Sequence, residues 1–110
     1  MKPSDKIIGE VVEAIAREAT PEQIILFGSH AKGDATDESD IDLLVVESGE
    51  FGPEKSRRKE LARLSKAVAR FQFPIDILLY SKTEVERWKH SLNNVVAHAF
   101  REGKVVYERH

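Results

Sequence analysis

Two aspartates two positions apart begin a stretch of sequence that is otherwise apolar. Asp40 and Asp42 flank Ile41, and residues 43–46 are Leu-Leu-Val-Val. A short run without polar side chains is typical of a strand that is covered on both faces inside a sheet. We therefore predict a strand over residues 41–46, internal to a sheet with helices on both sides and with two carboxylates at its start.

The pattern of the remaining sequence supports this fold class. Helices are predicted where apolar residues recur every three or four positions, and strands where short apolar runs end in turn residues. The order of these elements predicts an α/β or α+β domain around a small sheet. The predicted helices are 4–19 with Ser4 as its N-cap, 54–70, one that opens with a capping box at 81–84, and a last one that carries Leu92, Val95, Val96, Ala99 and Phe100 and is capped by Gly103. The predicted strands are 24–27, 41–46, 72–80 and a short terminal one at 105–107.

Length and composition limit the functions that remain. The chain has 110 residues, which suits a single domain over 1–110, and its formal net charge is −2. This charge argues against binding to nucleic acid through bulk electrostatics. The apolar runs are too short to span a membrane. The chain has no cysteine, which excludes disulfides and thiolate metal sites and fits a cytoplasmic location without proving it.

The aspartate pair predicts a site for a cation. Residues two apart on a strand point to one face with Cα atoms roughly 6.5–7 Å apart, so Asp40 and Asp42 are expected side by side. Such a pair is costly to bury unless a cation lies between the carboxylates. Mg²⁺ is a natural candidate because it binds one or two protein carboxylates together with substrate phosphates. The alternative is that Ser39 and Asp40 are turn residues and that Asp42 pairs with an arginine.

A third aspartate strengthens this prediction. Asp76 is the one charged residue in the segment 74–79, Pro-Ile-Asp-Ile-Leu-Leu. If this strand lies beside the strand of Asp42, all three carboxylates can face one cleft. Three converging carboxylates can hold two metal ions about 3.5–4 Å apart, the arrangement used for in-line nucleotidyl transfer. The alternative for Asp76 is a partly buried acid paired with a lysine or an arginine.

Gly28 and Ser29 form a candidate phosphate-binding turn. They directly follow the strand 24–27, and residues 30–32 are predicted to form a short helical turn. Glycine allows the backbone to approach a phosphate closely, and a hydroxyl group together with backbone N–H groups suits phosphate oxygens. A Gly-Ser pair after a strand is most often a plain turn, so its significance comes from its position shortly before the aspartate pair.

The turn and the aspartate pair together resemble the signature of the DNA polymerase beta-like nucleotidyltransferases. The matching residues are Gly28, Ser29, Ala31, Gly33, Ser39, Asp40, Ile41 and Asp42. Within that superfamily, the short chain resembles the minimal nucleotidyltransferases of prokaryotes, and the strand with Asp76 and the ending 101–108 are also similar to them. The resemblance implies the nucleotidyltransferase fold, a small mixed sheet of three or four strands flanked by helices.

The resemblance also assigns roles to individual residues. Those expected to bind the nucleotide are Gly28, Ser29 and Lys32, and those expected to be catalytic and to hold Mg²⁺, as two ions, are Asp40, Asp42 and Asp76. Family members often carry arginine at the positions of His30 and Lys32. Lysine supplies positive charge to a phosphate but not the two-pronged geometry of a guanidinium, so this departure affects nucleotide affinity more than reaction type.

Minimal nucleotidyltransferases are often antitoxins that transfer AMP from ATP to a helical HEPN-domain ribonuclease toxin. The resemblance therefore implies a Mg²⁺-dependent adenylyltransferase that acts on a hydroxyl of a HEPN-type toxin, with tyrosine as the favoured acceptor, and that forms an oligomer with this partner. A chain of this size has little surface for an acceptor, so the partner is expected to dock over the cleft, with the loop 33–39 and the basic helix 54–70 as its rims. Two alternatives are an antitoxin that acts by contact without catalysis and a transferase that modifies a small molecule.

Overall fold

The computed structural model describes residues 3–91 and 94–109. Within these residues the chain forms helices and strands that alternate along most of its length. In chain order they are α1 (Asp5–Ala19), β1 (Gln23–Phe27), α2 (Ser29–Lys32), β2 (Ile41–Glu47), α3 (Arg57–Ala67), β3 (Ile75–Ser81), α4 (Lys82–Trp88), α5 (Val95–Glu102) and β4 (Lys104–Glu108).

The four strands form one mixed sheet in the order β3-β2-β1-β4. β1 pairs antiparallel with β2 and with β4, whereas β2 and β3 are parallel. This arrangement confirms the predicted fold class. It also confirms that β2 is an internal strand and that a short strand ends the sheet near the C-terminus.

Alternating side chains of the sheet enter two separate apolar layers. Ile41, Leu43 and Val45 of β2 are buried in the layer that α1 and α3 cover. Leu44 and Val46 of the same strand are buried in the layer that α4 and α5 cover. Because helices cover both faces of the sheet, β2 is apolar at every position from Leu43 to Val46.

Two predicted elements were too long. The helix predicted over 54–70 spans only Arg57–Ala67, because the Ser56 side chain accepts a hydrogen bond from the Lys59 N–H at 3.2 Å and so caps its start. The strand predicted from residue 72 begins at Ile75. Pro74 lies just before it, as a residue without an N–H should, and its carbonyl accepts from the Ile41 N–H at 2.8 Å.

The predicted helix ends are largely confirmed. Ser4 caps α1, and Ser81 with Glu84 forms both hydrogen bonds of the capping box at the start of α4. Gly103 is the C-cap of α5, and a Cβ there would lie 2.6 Å from Ile25 Cγ2, so the end of α5 is packed tightly on β1. In the predicted stripe of the last helix, Val95 is 38% exposed rather than buried, while Leu92 lies outside the described residues.

In the part of the chain that the structure describes, no helix combines the length and the apolar character needed to cross a membrane.

Candidate active site

The C-terminal end of β1 and the N-terminal ends of β2 and β3 lie side by side at one end of the sheet. Asp42 is paired in register with Phe27 of β1 and with Asp76 of β3. Ile41 and Ile77, the neighbours of these aspartates in sequence, are buried beneath α1 and α3. Asp42 and Asp76 therefore face the opposite side of the sheet, next to each other on adjacent strands, as predicted.

The carboxylates of Asp40, Asp42 and Asp76 influence one another electrostatically. Burial raises the pKa of Asp42 above its ordinary value, and the negative charges of Asp76 and Asp40 raise it further, while His30 acts in the opposite direction. Asp42 is half-buried, whereas Asp40, in the loop just before β2, and Asp76 are exposed. Asp42 is thus the centre of a negatively charged group in which a bound cation would be stabilised.

The structure does not favour the alternative in which these aspartates belong to ordinary ion pairs. Within residues 3–91 and 94–109, no ion pair joins Asp42 or Asp76 to a lysine or an arginine. Over the same ranges, no group of three or more His, Asp or Glu side chains is arranged to hold a metal ion. The neighbouring carboxylates nevertheless fit Mg²⁺, which takes one or two protein carboxylates and completes its shell with waters and substrate phosphates. Binding of two ions by all three aspartates stays a prediction.

Gly28 is in direct contact with the carboxylate of Asp42. Its backbone has φ +73° and ψ −156°, a conformation that residues with a Cβ rarely adopt. A Cβ built on Gly28 would also overlap the Oδ2 atom of Asp42. The position therefore needs glycine for two independent reasons, and it places the turn of Gly28 and Ser29 immediately beside the central carboxylate.

The turn continues into α2, which confirms the short helical turn predicted after Ser29. The N–H groups of Ala31 and Lys32 both donate to the Gly28 carbonyl, at 3.1 and 3.2 Å. Ala31 is buried, and the backbone of Gly33, with φ +81°, ends the turn. Ser29 is half-buried beside Gly28, and its hydroxyl role toward phosphate stays a prediction.

His30 links the turn to the loop that precedes Asp40. Its Nε2 atom lies 3.3 Å from the carbonyl oxygen of Ser39, within hydrogen-bond distance. The loop itself is held by Thr36 and Ser39, because the Thr36 N–H donates to the Ser39 hydroxyl at 2.9 Å. No local sequence pattern indicates this contact, through which the half-buried His30 connects α2 to the loop before Asp40.

Lys32 is engaged by an acid that sequence reasoning missed. Its ammonium lies 3.4 Å from Oε1 of Glu102, at the end of α5, and the other oxygen of Glu102 lies 2.7 Å from Nδ1 of His98. The Lys32 and Glu102 side chains are 44% and 39% exposed. Residues separated by 70 positions gave no signal for this pair, which would compete with a phosphate for the Lys32 charge.

The prediction that the basic helix 54–70 forms one rim of the cleft was wrong. The basic helix, now α3, contributes Leu64 to the layer on the Ile41 side of the sheet, whereas Asp42 and Asp76 face the other side. α3 lies on that side of the sheet because its apolar stripe is buried in the layer that it shares with α1. The loop 33–39, which His30 ties to α2, remains next to the carboxylates.

Comparison with known proteins identifies the fold and the family. The model of the nucleotidyltransferase domain family matches residues 8–102, nearly the whole chain. The chain belongs to the nucleotidyltransferase domain family. This confirms the resemblance found in the sequence and gives the motif from Gly28 to Asp42 its family context.

The nucleotidyltransferase domain also resembles individual proteins. A protein of Methanocaldococcus jannaschii, provisionally named a protein adenylyltransferase, is 36% identical over 66 residues, which cover 56% of this chain and 62% of the relative. The match thus spans less than two thirds of that relative. A crystal structure of a provisionally assigned nucleotidyltransferase from Sulfolobus solfataricus has a TM-score of 0.64 and 25% identity, covering 94% of this chain and 79% of the other.

A second solved structure has the same fold at lower identity. It is the crystal structure of a toxin–antitoxin with AMP-PNP, with a TM-score of 0.56 and 20% identity, covering 92% of this chain and 73% of the other. At this identity the likeness is one of fold.

Proposed function

We propose that the chain is a Mg²⁺-dependent nucleotidyltransferase that moves AMP from ATP to a hydroxyl group of a partner protein. The proposed acceptor is a tyrosine of a helical HEPN-type toxin, for which this chain is the antitoxin. Membership of the nucleotidyltransferase family supports the reaction class. The M. jannaschii relative supports a protein acceptor, and the toxin–antitoxin structure with AMP-PNP supports a toxin partner and an adenine nucleotide.

The observation that carries the proposal is the contact between the glycine turn and the paired carboxylates. Asp42 has Asp76 beside it in register and the backbone of Gly28 against its Oδ2 atom. A phosphate approached by the turn would thus lie next to the two acids that can hold a metal ion. Such an arrangement suits in-line transfer at a phosphorus atom.

In the proposed reaction, Asp42 holds Mg²⁺ together with Asp76 and Asp40, and Gly28 and Ser29 hold the leaving phosphates. When bound, Mg²⁺ neutralises charge on the triphosphate and polarises the α-phosphate. The acceptor oxygen forms a bond to the α-phosphorus, the bond from that phosphorus to the oxygen bridging the β-phosphate breaks, and pyrophosphate leaves. Asp76, which is exposed at the start of an edge strand, is the proposed acceptor of the proton from the attacking hydroxyl.

The partner must hold its hydroxyl about 3–3.5 Å from the α-phosphorus, and such positioning can contribute roughly 7–11 kcal/mol to catalysis. We therefore expect the isolated chain to bind Mg²⁺-ATP but to transfer AMP efficiently only in the presence of its partner. The loop 33–39, adjacent to Asp40 and tied to His30, is the proposed place of contact.

The test uses ATP labelled on either the α- or the γ-phosphate, with Mg²⁺ and a purified HEPN-type toxin. The proposal predicts that label from the α-phosphate, and not from the γ-phosphate, becomes attached to a toxin tyrosine. Transfer of the γ-label would indicate phosphoryl transfer instead. Inhibition of the toxin without any label would favour an antitoxin that acts by contact, and label on an added small molecule would favour a small-molecule transferase.

Removing the acid that holds Lys32 is expected to strengthen nucleotide binding. In Glu102→Gln, the Lys32 charge is free to interact with the triphosphate, and an exposed ion pair of this kind contributes up to about 1 kcal/mol. Calorimetric titration with a non-hydrolysable ATP analogue and Mg²⁺ should show an affinity about two- to fivefold higher.

The matched control is Glu86→Gln, which removes another exposed acid paired with a lysine, Lys89, on α4. Its nucleotide affinity should equal that of the wild type. Weaker nucleotide binding by Glu102→Gln would mean that Glu102 orients Lys32 for the phosphate. Equal changes of affinity in the two variants would mean that only the net charge of the protein matters.

A further inference from the structure

A cleft of about 550 Å³ lies between α1 and α3. It is lined by the small side chains of Ala14 and Ala67 and by a predominantly cationic rim. The rim residues are Arg17, Glu18, Arg63, Lys66 and Arg70. Because α1 and α3 cover the face of the sheet opposite to Asp42 and Asp76, this cleft is separate from the candidate nucleotide site.

One cation of the rim already has its partners. Nη1 of Arg63 donates to the Glu18 carbonyl at 2.6 Å and lies 3.4 Å from the Glu18 carboxylate. Nε of Arg63 donates to Oε1 of Glu60 at 2.9 Å. Arg63 therefore joins α1 to α3, and the single acid of the rim is balanced by it.

The other three cations of the rim have no acidic partner in the described chain. No ion pair joins Arg17, Lys66 or Arg70 to an aspartate or a glutamate of residues 3–91 and 94–109. The Arg70 guanidinium lies 4.5 Å from the centroid of the Phe71 ring, so a neutral group orients it. Three uncompensated positive charges on a concave surface attract anions more strongly than the same charges on a convex one.

The chemistry of this cleft fits carboxylates on an extended peptide. The planar fork of arginine matches a carboxylate in two parallel hydrogen bonds, and the two alanines leave room for a backbone to lie between the helices. Nucleic acid is the less favoured occupant, because none of the described residues that line the cleft has an aromatic ring on which a base could stack. We propose that the cleft between α1 and α3 is a docking site for an acidic segment of a partner protein, rich in aspartate and glutamate.

The proposal is tested by binding of a fluorescently labelled hexaglutamate peptide to the full chain, followed by anisotropy at low salt. The triple variant Arg17→Gln, Lys66→Gln, Arg70→Gln should bind this peptide at least about tenfold more weakly than the wild type. Each exposed ion pair contributes only modestly, but the variant removes three of them together. The matched control is Arg58→Gln, Lys59→Gln, Arg87→Gln, which removes the same charge from exposed positions outside the cleft. Its affinity should remain within about twofold of the wild type.

Circular dichroism melts of both triple variants establish that they are folded before binding is compared. Equal losses in the two variants, or no measurable peptide binding by the wild type, would overturn the proposal. A single-stranded RNA hexamer serves as the competing probe, and its tighter binding with the same dependence on the cleft would assign the site to nucleic acid instead. Since no step of this test uses ATP, its outcome is independent of the proposed transferase activity.

Discussion

Replacing Asp42 by asparagine is expected to lower the rate of AMP transfer about a thousandfold or more while leaving the protein folded. The metal site is expected to supply several kcal/mol of transition-state stabilisation, and Asp42 is its central carboxylate. Asp40→Asn should act in the same direction. Single-turnover transfer with labelled ATP and Mg²⁺ measures both variants.

The stability of Asp42→Asn should be equal to or higher than that of the wild type when no metal is present. Burial and the charges of Asp76 and Asp40 raise the folded-state pKa of Asp42 above its ordinary value of 3.8. A raised pKa of this kind favours folding below the unfolded-state pKa, and that contribution is lost as the pH rises through the folded-state pKa. At neutral pH the ionised carboxylate is therefore a cost that asparagine removes.

Thermal melts at pH 7 with a chelator provide the measurement, and Glu13→Gln, an exposed acid of α1 on the other side of the sheet, is the control for the loss of one charge. The control should retain its transfer rate. A wild-type rate in Asp42→Asn would contradict the assignment of the metal site, and a large loss of stability would favour a structural role for the carboxylate.

Replacing Gly28 by alanine is expected to impair both stability and transfer. The new Cβ would require a backbone conformation that costs about 1–3 kcal/mol and would displace the Asp42 carboxylate that it overlaps. A misplacement of about 1 Å can reduce a rate on the order of a hundredfold. Urea unfolding and single-turnover transfer measure the two effects.

Gly52→Ala is the control for adding a methyl group, because Gly52 has open space around its Cβ position and follows the end of β2 that lies away from Asp42. Its stability should stay within about 0.5 kcal/mol of the wild type, with transfer within about threefold. If Gly28→Ala lost no more activity than Gly52→Ala, the contact of Gly28 with Asp42 would have no catalytic importance.

The parts of the fold and site that the sequence predicts are those fixed by local pattern. The apolar run after Asp42 predicts an internal strand, and the chain indeed places β2 between β1 and β3. The sequence places Asp76 next to Asp42 only on the condition that their two strands are neighbours. The pairing of β2 with β3 meets this condition. Local rules also find the caps at Ser4 and Ser81, because the necessary side chains lie within three residues of the helix start.

The features that the sequence does not predict depend on contacts between distant residues. The ion pair of Lys32 with Glu102 requires α5 to end over the turn, and the contact of His30 with Ser39 requires a folded loop. The side of the sheet that α3 covers depends on which layer accepts Leu64, and a helical stripe alone leaves that choice open. The overlap of a Gly28 Cβ with Asp42 is likewise visible only in three dimensions.

The central claim is that Asp42, with Asp76 and the turn at Gly28, binds a divalent metal ion and ATP. A crystal structure with Mn²⁺ and a non-hydrolysable ATP analogue, examined by the anomalous scattering of manganese, tests it most directly. We expect an anomalous peak in coordination contact with the Asp42 carboxylate, with the triphosphate lying along Gly28 and Ser29. A nucleotide bound in the cleft between α1 and α3, with no metal ion at Asp42, would contradict the claim.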